Sequence, residues 1–369
     1  MNGYNMSSRE VTIEVLDMEL IARGAQAPLA TLFQFTDKEG SPQRDEDFRS
    51  IKQLYHPDNI LPLNPRLKYY TLEEILLKMQ LIQEQVMNTD RGNYGNDDRL
   101  DKYDVPDERI RKNFQSIMLV CMDSDLQDVG NGNRQLRVKT YGKLYDLYHN
   151  QPFYDQPAAA GSVCTGILVA PDVVLTADHF IHQYNVQNLS FVFGYEMLDT
   201  ASPVICFPEE KIYRGVQVLQ RMNDTRGPNA TGSDWTLVQL DREVEGQEIA
   251  VLSQKKVFHD QPVYLIGYPC GLPAKYAPGL VVENSEKAYF MSQADVYSGN
   301  SGSPVFCAET HEMVGMLVRS DPQDFRKYDH AWISVRYPNK QIKSDGDRCI
   351  KMSEFEKKVS EMKTKLKWR

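Results

Sequence analysis

The chain lacks several features that would place it in particular classes of protein. It contains no run of about 18 apolar residues, so we expect no segment that spans a membrane. The first residues have no basic start followed by an apolar core, so we expect no secretory signal there. Lys and Arg number 42 against 51 Asp and Glu, and the resulting net charge of −9 disfavours nucleic acid or an anionic membrane as a partner.

Cysteine is also scarce, and its spacing does not suggest a disulfide framework. The six cysteines lie far apart, at positions 121, 164, 206, 270, 307 and 349. No two of them form the closely spaced pair that a zinc site uses, and we expect neither a metal nor another cofactor. Unpaired cysteines act as small buried apolar residues in a reducing compartment, so the sequence predicts a cytoplasmic protein.

Three short motifs indicate a function. The hexapeptide Gly-Asn-Ser-Gly-Ser-Pro at 299–304 is typical of a turn that presents a nucleophilic serine, here Ser301. An apolar strand ends in Leu-Thr-Ala-Asp-His, which contributes His179, and a second strand begins with Ser-Asp-Trp, which contributes Asp234. The order His, Asp, Ser along the chain differs from the orders in subtilisins and α/β-hydrolases, and it predicts a chymotrypsin-like double barrel.

These residue types supply the parts of a serine hydrolase. A serine hydroxyl is a weak nucleophile and needs a base, which would be His179, while Asp234 would fix the tautomer of the imidazole. Gly299 has no Cβ and permits a sharp turn, so the amides of Gly299 and Ser301 can point at one spot and form an oxyanion hole. Two neighbouring residues are expected to be solvated or locally hydrogen-bonded instead: Asp178 and His182.

The rest of the sequence fits a mainly β protein with two barrels. Short apolar segments rich in β-branched or aromatic residues alternate with turns that contain Pro, Gly, Asn and Asp, without helices between them. We expect strands at 163–169, 173–177, 189–193, 235–240, 263–266, 288–292 and 313–318. His179 and Asp234 then belong to the first barrel and Ser301 to the second, with a linker near 241–247.

The two ends of the chain differ from this pattern. A capping box at Thr71–Glu74 and apolar residues at helical spacing predict a helix over 72–88, and a shorter helix is expected within 43–56. Residues 352–366 predict an amphipathic helix. We therefore divide the chain into three parts: an N-terminal extension (1–91), a protease domain with two barrels (92–350) and a C-terminal helix (351–369).

The N-terminal extension is expected to be a pro-segment or a regulatory region. Its apolar stripe should pack on the protease body, and the alternative is a face that binds a regulatory protein partner. Cleavage between Arg91 and Gly92 would release it, because the surrounding segment is polar and Gly-rich, as an accessible loop should be.

The chain resembles trypsin-like serine peptidases, and among them the glutamyl endopeptidase branch and its bacterial relatives. The similarity covers roughly residues 92–340. It rests on the segments around His179 and Ser301, on Phe-Val-Phe-Gly-Tyr at 191–195 and on Ile-Gly-Tyr-Pro at 266–269. The segment 92–99 is similar to the start of the mature chains in that branch. The resemblance implies a serine endopeptidase whose substrate is a protein or peptide.

The chain departs from the family pattern at three positions. Secreted members usually carry a cysteine directly after the histidine and another four positions before the serine, where this chain has Phe180 and Tyr297. The resemblance therefore implies that these bridges are absent. Trypsin-like zymogens pair a new N-terminus with an aspartate beside the serine, and the uncharged Asn300 stands there. That switch cannot operate here in its ionic form, so the alternative to a released pro-segment is that cleavage is dispensable and residues 1–91 stay attached.

The resemblance also suggests which residues set specificity. Asp295 precedes Ser301 by six positions, where the floor of the primary specificity pocket falls in trypsin-like enzymes, and a carboxylate there would select Lys or Arg. The strand that pairs with the substrate backbone would contain Val318, Arg319 and Ser320. Leu317 stands where the glutamyl endopeptidases use a histidine, which disfavours acidic specificity.

Two other functions fit the same motifs. A protease fold without activity would act as a protein-binding module, and a hydrolase with a different pocket would act on esters or small amides. Labelling of Ser301 by a fluorophosphonate probe separates the first alternative from an enzyme. The ratio of peptide to ester turnover separates the second.

Overall fold

Strands dominate the part of the chain that the structure describes. The computed structural model describes residues 93–94, 97–225, 231–284, 288–319, 324–328, 331–337, 347–355 and 359. The strands are β1 (Asn93–Tyr94), β2 (Leu100–Asp101), β3 (Ile117–Met122), β4 (Leu126–Gly130), β5 (Asn133–Leu136), β6 (Val138–Thr140), β7 (Pro157–Ala159), β8 (Val163–Ala170), β9 (Val173–Thr176), β10 (Leu189–Phe193), β11 (Cys206–Pro208), β12 (Ile212–Asp224), β13 (Ser233–Leu240), β14 (Pro262–Gly267), β15 (Lys275–Asn284), β16 (Tyr289–Ala294), β17 (Pro304–Cys307), β18 (Met313–Arg319), β19 (Phe325–Tyr328), β20 (Ala331–Ser334), β21 (Arg336–Tyr337) and β22 (Asp347–Lys351).

Helices are short in the described residues. The α-helices there are α1 (Glu108–Asn113), α2 (Tyr141–Leu144) and α3 (Asp178–Gln183). Single turns of 3₁₀-helix cover Lys102–Asp104, Phe114–Ser116, Asp123–Asp125, Val186–Asn188, Glu209–Lys211, Pro269–Gly271 and Met352–Glu354.

The strands form two barrels of six strands each. The first closes in the order β10-β12-β13-β9-β8-β3. The second runs β14-β17-β18-β22-β16-β15 and closes because β14 also pairs with β15. The predicted mainly β fold with two chymotrypsin-like barrels is therefore confirmed.

Barrel strands such as β9 and β14 are apolar on both faces because both faces are covered. In β14, Val263 and Leu265 lie in the core of the second barrel, whereas Tyr264 and Ile266 belong to the large cluster that also takes residues from the first barrel. Successive side chains point to opposite faces of a strand, so one strand contributes residues to two hydrophobic cores. This arrangement explains why the barrel strands appear in the sequence as continuous apolar runs.

The observed strands lie close to the expected ones. The segment 189–193 coincides with β10, and the other six predicted strands differ from the observed ones by at most a few residues at each end. The connection between β13 and β14 is longer than the predicted linker near 241–247, because β14 begins only at Pro262. The predicted helices over 43–56 and 72–88 lie outside the described residues.

The predicted C-terminal helix lies mostly outside the described residues. A 3₁₀ turn covers Met352–Glu354, and the Val359 N–H donates to the Phe355 carbonyl at 2.9 Å, four residues back, as in an α-helix. Phe355 and Val359 are buried in the large cluster shared by the two barrels.

The segment that follows the N-terminal extension is built into the second barrel. Strand β2 pairs with β15, and this register sets Asp101 opposite Lys275. The Lys275 ammonium binds the Asp101 carboxylate and donates to Gln156 Oε1 at 2.7 Å. Both charged side chains are at most 2% exposed. A buried ion pair therefore attaches residues 100–101 to the barrel.

A candidate active site between the barrels

His179 and Asp234 form a hydrogen-bonded pair on the first barrel. Strand β9 ends at Thr176, and α3 begins two residues later, which places His179 in the first turn of this helix. Asp234 lies near the start of β13, the neighbour of β9 in the barrel. The distance from His179 Nδ1 to Asp234 Oδ2 is 2.7 Å, and the His179 backbone N–H donates to Asp234 Oδ1 at 3.0 Å.

The environments of these two side chains differ. The Asp234 side chain is 5% exposed, whereas the His179 side chain is 45% exposed. An ionised carboxylate only accepts hydrogen bonds, so Nδ1 of the neutral imidazole carries the proton and Nε2 keeps a free lone pair. The pair therefore fixes the ring and leaves Nε2 without a hydrogen-bond partner in the described residues.

Two neighbouring groups are engaged elsewhere. Asp178 is buried and accepts a hydrogen bond from Asn223 Nδ2 at 3.0 Å, with Arg221 Nε 3.3 Å from its other oxygen. His182 Nδ1 accepts from Arg221 Nη1 at 3.2 Å. The expectation of local hydrogen bonding is correct for both, but Asp178 is not solvated.

Ser301 lies on the loop between β16 and β17 of the second barrel, and its backbone is bound to the first barrel. The Ser301 carbonyl accepts the N–H of Thr165 at 2.9 Å and the thiol of Cys164 at 2.8 Å, both from β8. Burial raises the pKa of Cys164 to about 12, so it remains a protonated donor. The Thr165 hydroxyl donates to the Gly299 carbonyl at 2.9 Å.

Gly302 shows how closely the serine loop approaches the histidine segment. A Cβ added there would lie 2.0 Å from the Thr165 carbonyl oxygen and 3.1 Å from the Ala177 nitrogen. Its φ of +86° also favours glycine. Because Ala177 stands two residues before His179, this contact brings the loop of Ser301 to the end of the barrel that bears the histidine.

The Ser301 hydroxyl and the imidazole are not hydrogen-bonded to each other. In the described part of the chain, Ser301 Oγ makes no hydrogen bond to His179. Such contacts are often long in unliganded enzymes and shorten when substrate binds. The structure thus joins His179 to Asp234 and joins the serine loop to the first barrel.

The two predicted oxyanion donors have no protein acceptor in the described residues. Neither the Gly299 amide nor the Ser301 amide donates to a carbonyl or side chain there. Gly299 has a φ of +94°, and a Cβ on it would lie 2.5 Å from the Tyr268 carbonyl oxygen. Glycine is therefore required at this position.

The predicted specificity residues occupy different environments. Asp295, directly after β16, is 2% exposed and accepts the backbone N–H of Asp98 at 3.1 Å. Val318 is buried in β18, Arg319 ends this strand and is exposed, and Ser320 lies outside the described residues. Leu317 is 1% exposed in the core of the second barrel.

Several residues around the site were not among the predicted site residues. Thr165 and Cys164 bind the serine loop, and Asp324 binds it through the backbone N–H of Ser298. Arg99 is buried against the Tyr297 ring, with 4.2 Å from its guanidinium carbon to the ring centroid, and pairs with Asp97 at 2.7 Å. Apart from the pair Arg99–Asp97, these contacts join residues far apart in the chain, so local pattern does not reveal them.

Parts of the chain are similar to one protein family and to several solved structures. Residues 164–316 match the sequence model of the trypsin-like peptidase domain. A solved Glu endopeptidase has a TM-score of 0.43 and 16% identity, covering 73% of this chain and 99% of its own. The serine endoprotease from Yersinia pestis has a TM-score of 0.42 and 12% identity, covering 71% of this chain and 68% of its own. No curated protein sequence matches the chain.

The domain match falls on the strands of both barrels. Residues 164–316, which run from β8 to β18, form a trypsin-like peptidase domain within the two six-stranded barrels. Among the described residues, no group of three or more His, Cys, Asp or Glu side chains is arranged to hold a metal ion. No helix in that part of the chain is long and apolar enough to cross a membrane.

Proposed function

We propose that the chain is a serine endopeptidase in which His179, Asp234 and Ser301 form the catalytic triad. The observation that carries this proposal is the pair of hydrogen bonds from His179 to Asp234, at 2.7 Å from the ring and 3.0 Å from the backbone. These bonds fix both the tautomer and the orientation of the imidazole.

In the proposed reaction each group has one task. His179 Nε2 takes the proton of the Ser301 hydroxyl while the oxygen attacks the scissile carbonyl, and the same proton then goes to the leaving amine. Asp234 stabilises the imidazolium that forms in between. The amides of Gly299 and Ser301 donate to the oxyanion, and water later releases the acyl group by the same steps in reverse order.

The test compares Ser301→Ala with Ser303→Ala. Ser303 lies two residues further on, is fully buried, and its hydroxyl has no hydrogen-bond partner in the described residues. Ser301→Ala should lose about a millionfold in kcat on a quenched fluorescent peptide library without unfolding. Ser303→Ala should keep its activity. A Ser301→Ala protein with full activity would remove the assignment.

We propose cleavage after Arg or Lys, on the basis of the position of Asp295 relative to Ser301. Asp295 already accepts the Asp98 amide and is 2% exposed, so the pocket needs to open for a substrate cation to reach it. Asp295→Ser should lower kcat/KM for basic substrates, by an amount equivalent to about 2–4 kcal/mol of activation free energy. It should affect the labelling of Ser301 far less. Product mapping that finds Glu or Phe before the cleaved bond would show that Asp295 is misplaced.

We also propose a cytoplasmic location and regulation by the N-terminal extension. The location is supported by the state of the six cysteines, all of which are free thiols, with five buried and Cys206 exposed. Fractionation of cells that express the tagged chain would test it, and recovery outside the cytoplasm would contradict it. Regulation by residues 1–91 is tested below through processing at Arg91.

A further inference from the structure

The turn that contains the proposed oxyanion donors has a defined type. The Asn300 N–H donates to the Tyr297 carbonyl at 3.0 Å, which closes a four-residue turn. Gly299, its third residue, has a φ of +94°, whereas Ser298, its second, is not among the described residues with positive φ. A positive φ at the third position alone is the property of a type II turn.

The turn type decides where the Gly299 N–H points. Turns of types I and II differ in ψ of the second residue and in φ of the third. The peptide group that joins the second residue to the third is therefore rotated by about 180° between the two types. In a trans peptide the C=O and the N–H point in opposite directions. The Ser298 carbonyl accepts the Cys270 N–H at 2.5 Å, so the Gly299 N–H faces away from Cys270.

Asp324 binds Ser298 through the Ser298 N–H, which belongs to the peptide group between Tyr297 and Ser298. Both carboxylate oxygens of Asp324 lie 3.1 Å from the Ser298 nitrogen. The Cys270 thiol faces the same carboxylate, with Sγ 3.8 Å from Oδ2, and the Asp324 carbonyl accepts the Val335 N–H at 3.0 Å. Burial raises the pKa of Asp324, while its hydrogen bonds to Ser298 and Cys270 oppose that shift.

We propose that Asp324 is a positioning residue for the oxyanion hole. It anchors Ser298, so that the turn keeps its type II form and the Gly299 N–H stays directed at the reacting carbonyl. This inference rests on the proposed function of Ser301. Asp324 also supplies a carboxylate that anchors the serine loop. Trypsin-like zymogens have an aspartate beside the serine, and this chain has the uncharged Asn300 at that position.

The experiment measures kcat, KM and the rate at which a fluorophosphonate labels Ser301. Asp324→Ala should lower kcat about 100-fold, the effect of losing one oxyanion donor, with KM changed by less than about threefold. Asp324→Asn keeps a carbonyl acceptor for the Ser298 N–H and should recover part of the loss. An increase in KM alone, with kcat unchanged, contradicts a role in the oxyanion hole.

A second variant removes the donor instead of the acceptor. Ser298→Pro deletes the N–H that Asp324 accepts, and proline is favoured at the second position of a type II turn, so the turn itself is retained. Because proline itself favours the type II form, Ser298→Pro should keep kcat within about threefold of the wild type, and in the double variant it should recover most of the kcat that Asp324→Ala loses. A double variant with a kcat as low as that of Asp324→Ala overturns the proposal.

The matched control is Asp107→Ala. The Asp107 carboxylate also accepts a backbone N–H, that of Arg109 at 2.8 Å, but at the start of α1. This variant should lose stability and keep kcat. If Asp324→Ala does not fold, Asp324→Asn decides, and a kcat equal to that of the wild type overturns the proposal. Failure of the proposed function is distinct, because the wild type itself then escapes labelling at Ser301.

Discussion

At the scale of single residues, Gly299 is constrained in two independent ways. Its φ of +94° is one that residues with a Cβ rarely adopt, and the added Cβ would lie 2.5 Å from the Tyr268 carbonyl oxygen. The obstacle is backbone, which cannot rotate away as a side chain can. Any other residue at this position must therefore move the turn and redirect its amide.

We expect Gly299→Ala to lower kcat about 100-fold, because the displaced N–H no longer meets the oxyanion. Gly246→Ala is the matched control, since Gly246 has a φ of +67° and nothing within 4 Å of its added Cβ. Both variants should lose about 1–2 kcal/mol from the strained φ, and denaturant unfolding measures that loss. Equal kcat values for the two variants would contradict the role of Gly299.

The site was partly predictable from single residues. His179, Asp234, Gly299 and Ser301 each stand in a short motif, and the structure brings the first two into contact and leaves the amides of the last two unpaired within the described residues. Asp324 was not predictable, because it meets Ser298 from 26 residues away and its surrounding sequence has no pattern. The burial of Arg99 was missed for the same reason.

At the scale of secondary structure elements, apolar strands were predictable and polar ones were not. Strand β10 was predicted with its observed bounds because all five of its residues are buried. Strand β12 runs for 13 residues from Ile212 to Asp224, yet most of its second half is exposed or only partly buried, so its sequence alternates weakly. Its pairing with β13 defines it, and that pairing is not local.

The attachment of β2 to β15 is expected to depend on the pair Asp101–Lys275. Burial lowers the pKa of Lys275 to about 8 against the opposing effect of Asp101, so the ammonium is still mainly charged at neutral pH. Lys275→Met leaves the Asp101 carboxylate buried without its cation and should cost about 3–5 kcal/mol of unfolding free energy.

The double variant Lys275→Met/Asp101→Leu separates the pair from the packing. It removes both buried charges and should be more stable than Lys275→Met alone, which urea denaturation can measure. A Lys275→Met protein as stable as the wild type would show that this pair does not hold the strand.

At the scale of the whole molecule, the segment after the N-terminal extension is part of the protease body. Strand β1 pairs with β21, and β2 pairs with β15 of the second barrel. The Asp98 amide also binds Asp295, in the predicted specificity pocket. Cleavage between Arg91 and Gly92 would therefore leave these anchors in place.

If residues 1–91 are a pro-segment, purified wild-type protein should lose them on incubation, as measured by intact-mass spectrometry. The Ser301→Ala variant should remain full length, because the proposed self-cleavage needs the nucleophile, and Arg91→Ala should remain full length because the basic residue is missing. A wild-type chain that stays full length while it hydrolyses substrate at its maximal rate would remove the pro-segment hypothesis.

Covalent labelling tests most directly whether His179 and Asp234 activate Ser301. A fluorophosphonate should add one adduct to the folded wild-type chain, and peptide mapping should place it on Ser301. Asp234→Asn keeps the shape of the side chain but favours the wrong imidazole tautomer, so labelling should slow by about 10⁴-fold. An adduct on another residue, or equal labelling rates for wild type and Asp234→Asn, would contradict the account.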